Sequence, residues 1–415
     1  MSDLIRNSEF DVQEFLAEYW QQKPLLIKGF YSNFQDPLSA EELAGLACEE
    51  AVESRLISCY GRMTGEIGAA DVVAGQDTKN VQGESPAQWQ LRHGPFTEAD
   101  FLATPEVDWT LLVQAVDQWQ EAVQQMLDAF DFLPRWRIDD IMVSYATPGG
   151  GVGPHFDYYD VFLVQGAGRR RWRLGQRCDA QTATVERAGQ AILPDFEVIA
   201  DYELEPGDAL YVPAGVAHWG ECTSSGLCYS VGLRAPSEAE MIAGVSDLLV
   251  DSSDPARRYQ DPATSQPPTH GGEIMASATD SLQQTLSERL SDPLWLKQWF
   301  GMAVTQPRYP ELLEPLEQPV EFPDLLDLVK EQPLTRHPAS RMAFTHLPEA
   351  DQVLLFVDGE CFVLPVTELH LAQELCEPSP GNLTDLLPQV KSPGAQQLLA
   401  HLVSSGSLYL ADEEL

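Results

Sequence analysis

One constellation constrains this chain more than any other. His155-Phe156-Asp157 stands behind a glycine-rich run, Gly149-Gly150-Gly151-Val152-Gly153-Pro154, and a lone His218 lies 61 residues beyond Asp157. A strand repeats every two residues, so an extended segment turns His155 and Asp157 to one side and Phe156 to the other. If that segment lines a barrel, both polar groups face inward. His218 then has to arrive from a separate strand. The residues before it supply one: a tight turn at Glu205-Pro206-Gly207-Asp208, an apolar strand at Ala209 to Val212, and a second turn at Pro213-Ala214-Gly215 that fixes the backbone ahead of the histidine. His-x-Asp by itself is a weak signal; these flanks make it specific.

Two imidazoles and one carboxylate can occupy one face of an octahedral metal and leave the opposite face open, the ligand set of non-haem Fe(II) oxygenases. A second signal is Arg169-Arg170-Arg171-Trp172-Arg173-Leu174, after a turn at Gly166-Ala167-Gly168. Period two puts Arg170 with Trp172 and Leu174, which need burial, and puts Arg169, Arg171 and Arg173 on a solvated face. A buried guanidinium is costly unless a carboxylate meets it. Either a protein Asp/Glu or a ligand carboxylate could do so. An Fe(II) oxygenase commonly takes 2-oxoglutarate, whose far carboxylate needs a cation deep in the barrel, and Arg170 suits that role.

Other segments sort by pattern. Phe10 to Trp20 is predicted helical, with Phe15, Leu16 and Tyr19 on one stripe, and Pro24 to Gly29 is a short strand. Residues 37–135 look mostly helical, with turns and a strand or two around Ser54 to Tyr60, and Asp108 to Phe130 is the longest periodic stretch. Residues 137–235 change to short strands between Gly/Pro turns, as in a jelly roll. A helix starts at Ser237, and Leu282 to Ala303 is helical; these helices either build a dimer or pack back on the barrel. Beyond residue 320, helices and a hairpin with Asp358-Gly359 at its turn spell a winged-helix-like module. The expected division is 1–236, 237–320 and 321–415. Residues 321–415 hold four Lys/Arg against fifteen Asp/Glu, so that module lacks the phosphate contacts of a DNA reader.

The whole chain of 415 residues has a net charge of −39, which disfavours nucleic acid and suits either a basic protein partner or simple solubility. No apolar run is long enough for a membrane span, and the first twenty residues lack a secretory pattern, so a cytoplasmic location is expected. The seven cysteines form no Cys-x-x-Cys pair and fit free thiols.

The segments GGGVGPHFDYYDVFLVQGAGRRRWRLG, ELEPGDALYVPAGVAHWG and CYSVGLRAP resemble the JmjC-type, cupin-fold ribosomal oxygenases of bacteria. That resemblance implies an α+β fold: a double-stranded β-helix barrel (the cupin or jelly-roll JmjC fold) with flanking helices, a helical dimerisation region and a winged-helix-like C-terminal domain. It implies Fe(II) on His155, Asp157 and His218, and 2-oxoglutarate on Arg170 with help from the Ser144 hydroxyl. Dioxygen is then the other cosubstrate and the protein a homodimer. Bacterial members hydroxylate an arginine side chain at C3 in the large-subunit ribosomal protein uL16, a basic substrate; animal relatives hydroxylate histidine. Histidyl hydroxylation, lysine demethylation, a zinc or manganese cupin without oxoglutarate, and a non-enzymatic scaffold are the competing expectations.

Overall fold

The structure is a computed structural model that describes residues 5–60, 88–187, 189–261, 269–377 and 383–411. The chain packs as two compact units, Met1–Ala235 and Pro236–Leu415.

The first unit is built on two antiparallel sheets. The larger runs, in spatial order, Leu25–Ile27, Ala209–Val212, Val161–Gln165, Gly226–Leu233, Ile138–Ala146, Trp109–Val113, Ser54–Tyr60 and Gln88–His93. The smaller has Arg169–Arg177 at its centre, between Ala200–Leu204 and Val216–Ser224. Alternation decides what each face does. Leu56, Leu111, Val113, Ile141, Val143, Phe162, Val164, Tyr229 and Val231 point away from the small sheet's residues into a core shared with Phe15, Phe30 and Phe130. Their neighbours Arg55, Ile57, Thr110, Leu112, Met142, Ser144, Val161 and Leu163 line a cavity together with Arg170, Trp172, His218 and Gly220 of the small sheet. The β-rich half expected from residue 137 onward is therefore a cupin-type barrel.

Three expectations need correction here. Trp109–Val113 is a strand, and Val116 to Phe130 breaks into short turns of helix. A continuous apolar run is compatible with either period, and burial between neighbouring strands decided for β. His155 makes a single bridge with His218 and belongs to no strand. On the segment expected as one helix from Phe10 to Trp20, Phe15 is buried whereas Leu16 is exposed, since consecutive residues lie about 100° apart around a helix and Phe15 takes the core side; Phe15–Tyr19 itself is a π-turn.

Turn chemistry holds the strands in place. Gly207 has φ +87°, and Asp208 caps the turn by accepting from the Gly29 and Glu205 amides and pairing with Lys28 at 2.7 Å. Asp208 is thus a strut of the fold. A Cβ at Gly226 would lie 1.7 Å from the Ala167 carbonyl oxygen, so only glycine lets that strand enter beside the Gly166–Gly168 turn.

The second unit begins with helices Glu238–Asp251, Ala276–Leu290 and Pro293–Val304. Ser237 and Glu240 form a capping box at the first. The stretch expected as one helix from Leu282 to Ala303 is two, since Asp292 caps a new start and Pro293 occupies its first position. The first two of these helices bury no residue within the chain. The remainder packs Phe322–Leu328, Leu369–Leu375 and Pro393–Ser404 against the sheet Met342–Leu347, Gln352–Val357, Glu360–Pro365. Asp358 (φ +50°) and Gly359 (φ +89°) make the hairpin turn left-handed at both central residues, as a type I′ turn requires.

Candidate active site

The glycine-rich approach to His155 is stitched to the small sheet. The Gly149 amide donates to the Cys222 carbonyl at 2.8 Å, and the Cys222 amide donates to the Gly150 carbonyl at 2.9 Å. A Cβ at Gly150 would meet the Trp109 carbonyl oxygen at 2.2 Å, so the loop can lie this close only as glycine. His155 and His218 then exchange backbone hydrogen bonds of 3.0 and 2.8 Å, which locks the two histidines side by side. Their ring centroids are 4.2 Å apart. Asp157 is anchored through its carbonyl, which accepts from the Gly215 amide at 2.8 Å.

One ligand atom from each of His155, Asp157 and His218 lies within 4.8 Å of the others. His155 Nδ1 faces the Gly153 carbonyl at 2.9 Å, and His218 Nδ1 faces the Val216 carbonyl at 3.0 Å. A carbonyl only accepts, so both Nδ1 atoms carry a proton, and in the neutral ring Nε2 is the atom that offers a lone pair. Burial and the neighbouring His155 push the His218 pKa down to about 4, against the pull of Asp157. His218 is therefore neutral near pH 7, and its 3.5 Å approach to Asp157 is not an ion pair. Two imidazole lone pairs and a carboxylate oxygen converging on one point fit a divalent metal.

Deeper in the same barrel, Arg170 Nη1 donates to Ser144 Oγ at 3.1 Å, and Arg170 Nε is buried without a hydrogen-bond partner. The guanidinium carbon stands 5.9 Å from the centre of the Trp172 ring, whose other neighbour is the His218 ring at 5.9 Å. Cys222 and Cys228 lie near Arg170, but burial raises both thiols and keeps them neutral. No protein carboxylate pairs with Arg170 among the described residues. Arg170, Ser144 and Trp172 share one cavity of about 210 Å³ with His155, Asp157 and His218.

All five residues singled out in the sequence, His155, Asp157, His218, Arg170 and Ser144, line that cavity. Arg173 departs from expectation. It is 9% exposed, stacks 4.3 Å above the Trp219 ring and meets Glu221 at 3.1 Å, because Trp219 covers that face of the sheet. Arg169 and Arg171 do lie outside, in pairs with Glu205 and Asp201 at 2.6 Å each. Sequence reasoning missed Arg55, Met142, Tyr159 and Ser230 as cavity residues. For Arg55, Met142 and Ser230 the in–out alternation of their strands was the available signal; Tyr159 precedes the strand Val161–Gln165 and belongs to none.

A JmjC-domain family model matches residues 125–241, and a ROXA-like winged-helix model matches residues 288–409. The ribosomal protein uL16 3-hydroxylase of Escherichia coli is 39% identical over 318 residues, 77% of this chain and 78% of that protein. This chain belongs to the JmjC-type ribosomal oxygenases. Ribosomal oxygenase 2 of Rattus norvegicus is 28% identical over 59% of this chain and 48% of its own length. The solved structure of the Escherichia coli ribosomal oxygenase YcfD in complex with cobalt and 2-oxoglutarate is 34% identical, with a TM-score of 0.78 over 97% of this chain and 99% of that one. As a ribosomal oxygenase, the chain has the JmjC cupin fold and a winged-helix C-terminal module. Among the described residues, no helix is long and apolar enough to cross a membrane.

Proposed function

We propose that this ribosomal oxygenase uses Fe(II), 2-oxoglutarate and dioxygen to hydroxylate C3 of an arginine side chain in ribosomal protein uL16. One observation carries the reading. The ligand atoms of His155, Asp157 and His218 gather within 4.8 Å in the cavity that also holds the Arg170–Ser144 pair. Each group matches one part of the reactants. His155, Asp157 and His218 hold the metal on one face. Arg170 and Ser144 hold the far carboxylate of 2-oxoglutarate through charge-assisted hydrogen bonds, the counter-charge that Arg170 otherwise lacks.

Bound together, ferrous iron and 2-oxoglutarate supply the oxidative decarboxylation that makes dioxygen able to hydroxylate a C–H bond, with succinate and carbon dioxide released. The chain's own part is placement and exclusion. The carbonyls of Gly153 and Val216 fix the two imidazole tautomers. Leu112, Val161, Leu163 and Trp172 give the cavity apolar walls that limit water, and Met142, Ser230 and Tyr159 shape the space left for the target side chain. The similar proteins support a ribosomal target, and a net charge of −39 suits a basic one that this chain meets in the cytoplasm.

The division into 1–236, 237–320 and 321–415 goes with this reading. The middle helices leave Ile242, Val250, Leu282 and Leu286 exposed, and a second copy of the chain covers them in a homodimer. The C-terminal module, poor in basic residues, contacts protein and not DNA. The decisive experiment is mass spectrometry of uL16 incubated with the purified protein, Fe(II) and 2-oxoglutarate. A gain of one oxygen on an arginine is expected. A gain on histidine, or succinate formation without any change in uL16, would overturn the target.

A further inference from the structure

A second guanidinium enters the same cavity and has no task in the reaction described above. Arg55, on the strand Ser54–Tyr60, lines the cavity with its Nε buried and without a hydrogen-bond partner. Among the described residues no carboxylate pairs with it. Register fixes where it sits. Arg55 is opposite Leu112, and Leu112 is opposite Ser144. Arg55 therefore stands two strands from the Ser144–Arg170 pair, about 10 Å at the usual strand spacing. It lies on the side where the large sheet ends. There Trp89, Arg187 and Gln190 border a second, smaller depression that shares Ile57, Val152 and Gln190 with the cavity.

A desolvated guanidinium nitrogen with no acceptor is a cost to the folded protein, and an oxygen arriving with a ligand removes it. Besides dioxygen, which belongs with the metal, three kinds of oxygen reach the cavity. The far carboxylate of 2-oxoglutarate is met by Arg170 and Ser144. Its other end belongs at His155, Asp157 and His218, which come from the loop and the small sheet. A target arginine carries the same charge as Arg55 and cannot pair with it. What remains is the polypeptide that brings the arginine, which offers a carbonyl oxygen at every residue. We infer that Arg55 holds a main-chain carbonyl of the target polypeptide at the cavity mouth, and so sets how its arginine side chain enters. This inference rests on the hydroxylase reading and adds a substrate-positioning residue to it.

The test compares wild type, Arg55→Met and Arg55→Lys, using a fluorescein-labelled uL16 peptide that the wild type hydroxylates. Peptide affinity is read by anisotropy on the metal-free proteins, and KM values for peptide and 2-oxoglutarate are read on the loaded ones. Arg55→Met is expected to bind the peptide roughly tenfold more weakly, the size of one lost hydrogen bond to a charged donor. Its KM for peptide rises in step, its KM for 2-oxoglutarate is unchanged, and Arg55→Lys recovers part of the loss. The thermal midpoint of Arg55→Met stays level or rises, since an unsatisfied buried group has gone. A wild type that hydroxylates the peptide beside an Arg55→Met protein that binds it equally well overturns the inference and leaves the hydroxylase reading standing. So does a raised KM for 2-oxoglutarate alone, which would assign Arg55 to the cosubstrate.

Discussion

Replacing Arg170 by methionine separates a structural arginine from one kept for a ligand. In the absence of ligand the side chain is 7% exposed, makes one hydrogen bond to Ser144 Oγ at 3.1 Å and leaves Nε unsatisfied. The raised thiols of Cys222 and Cys228 give it no counter-charge. Exchange of a poorly compensated buried charge for an apolar side chain of similar length is neutral or stabilising, by up to about 4 kcal/mol. The ligand loses much more. A carboxylate held by a guanidinium fork accepts two charge-assisted hydrogen bonds of about 1.5–3 kcal/mol each. Arg170→Met should then bind 2-oxoglutarate roughly a hundred- to ten-thousandfold more weakly. Anaerobic calorimetric titration of the Fe(II) protein measures the affinity, and urea unfolding of the metal-free protein measures stability. A variant that unfolds more easily yet keeps its 2-oxoglutarate affinity would refute the reasoning and make Arg170 a part of the fold alone.

Gly220→Ala places a Cβ 2.6–2.8 Å from three atoms of the Trp172 ring, and this overpacking should cost about 1–3 kcal/mol. Because Trp172 separates Arg170 from His218, 2-oxoglutarate affinity should fall with it; an unchanged melting temperature contradicts the packing described. Metal at a hundred times its Kd should stabilise the wild type by about 2.7 kcal/mol, and a chelator should reverse the shift. In Asp157→Ala the metal-induced shift should vanish while the metal-free melt stays close to wild type; persistence of the shift would remove Asp157 from the ligand set. Tyr211→Phe deletes a hydroxyl that donates to buried Asp160 at 2.7 Å and accepts from the Gln21 amide at 2.8 Å. It should destabilise by about 1–3 kcal/mol in urea unfolding without altering 2-oxoglutarate affinity. A loss of cosubstrate binding there would show that the aromatic core reaches the site.

His155, Asp157, His218 and Arg170 were legible in the sequence because each breaks a local rule. A histidine pair with an aspartate behind four glycines, and an arginine in phase with Trp172 and Leu174, are hard to place anywhere but in a site. The Asp358-Gly359 hairpin was legible for a similar reason, since a left-handed turn demands those residue types. What stayed hidden depends on contacts between distant segments. Nothing within Trp109–Val113 says that two neighbouring strands will cover both of its edges. Arg173 has the alternation of a surface residue, and only Trp219, 46 positions away, buries it. His155 and Asp157 converge without a strand because backbone bonds to His218 and Gly215 hold the loop extended. Arg55 faces the cavity through pairing that runs across three strands.

The most direct measurement is an anaerobic titration of the metal-free protein with Fe(II) and then 2-oxoglutarate, watched for the weak visible charge-transfer band of a keto-acid bound through two atoms to ferrous iron. One equivalent of each should bring the band to completion in the wild type, and Asp157→Ala should give none. A wild type that binds iron yet shows no band with saturating 2-oxoglutarate would contradict the assignment of this cavity.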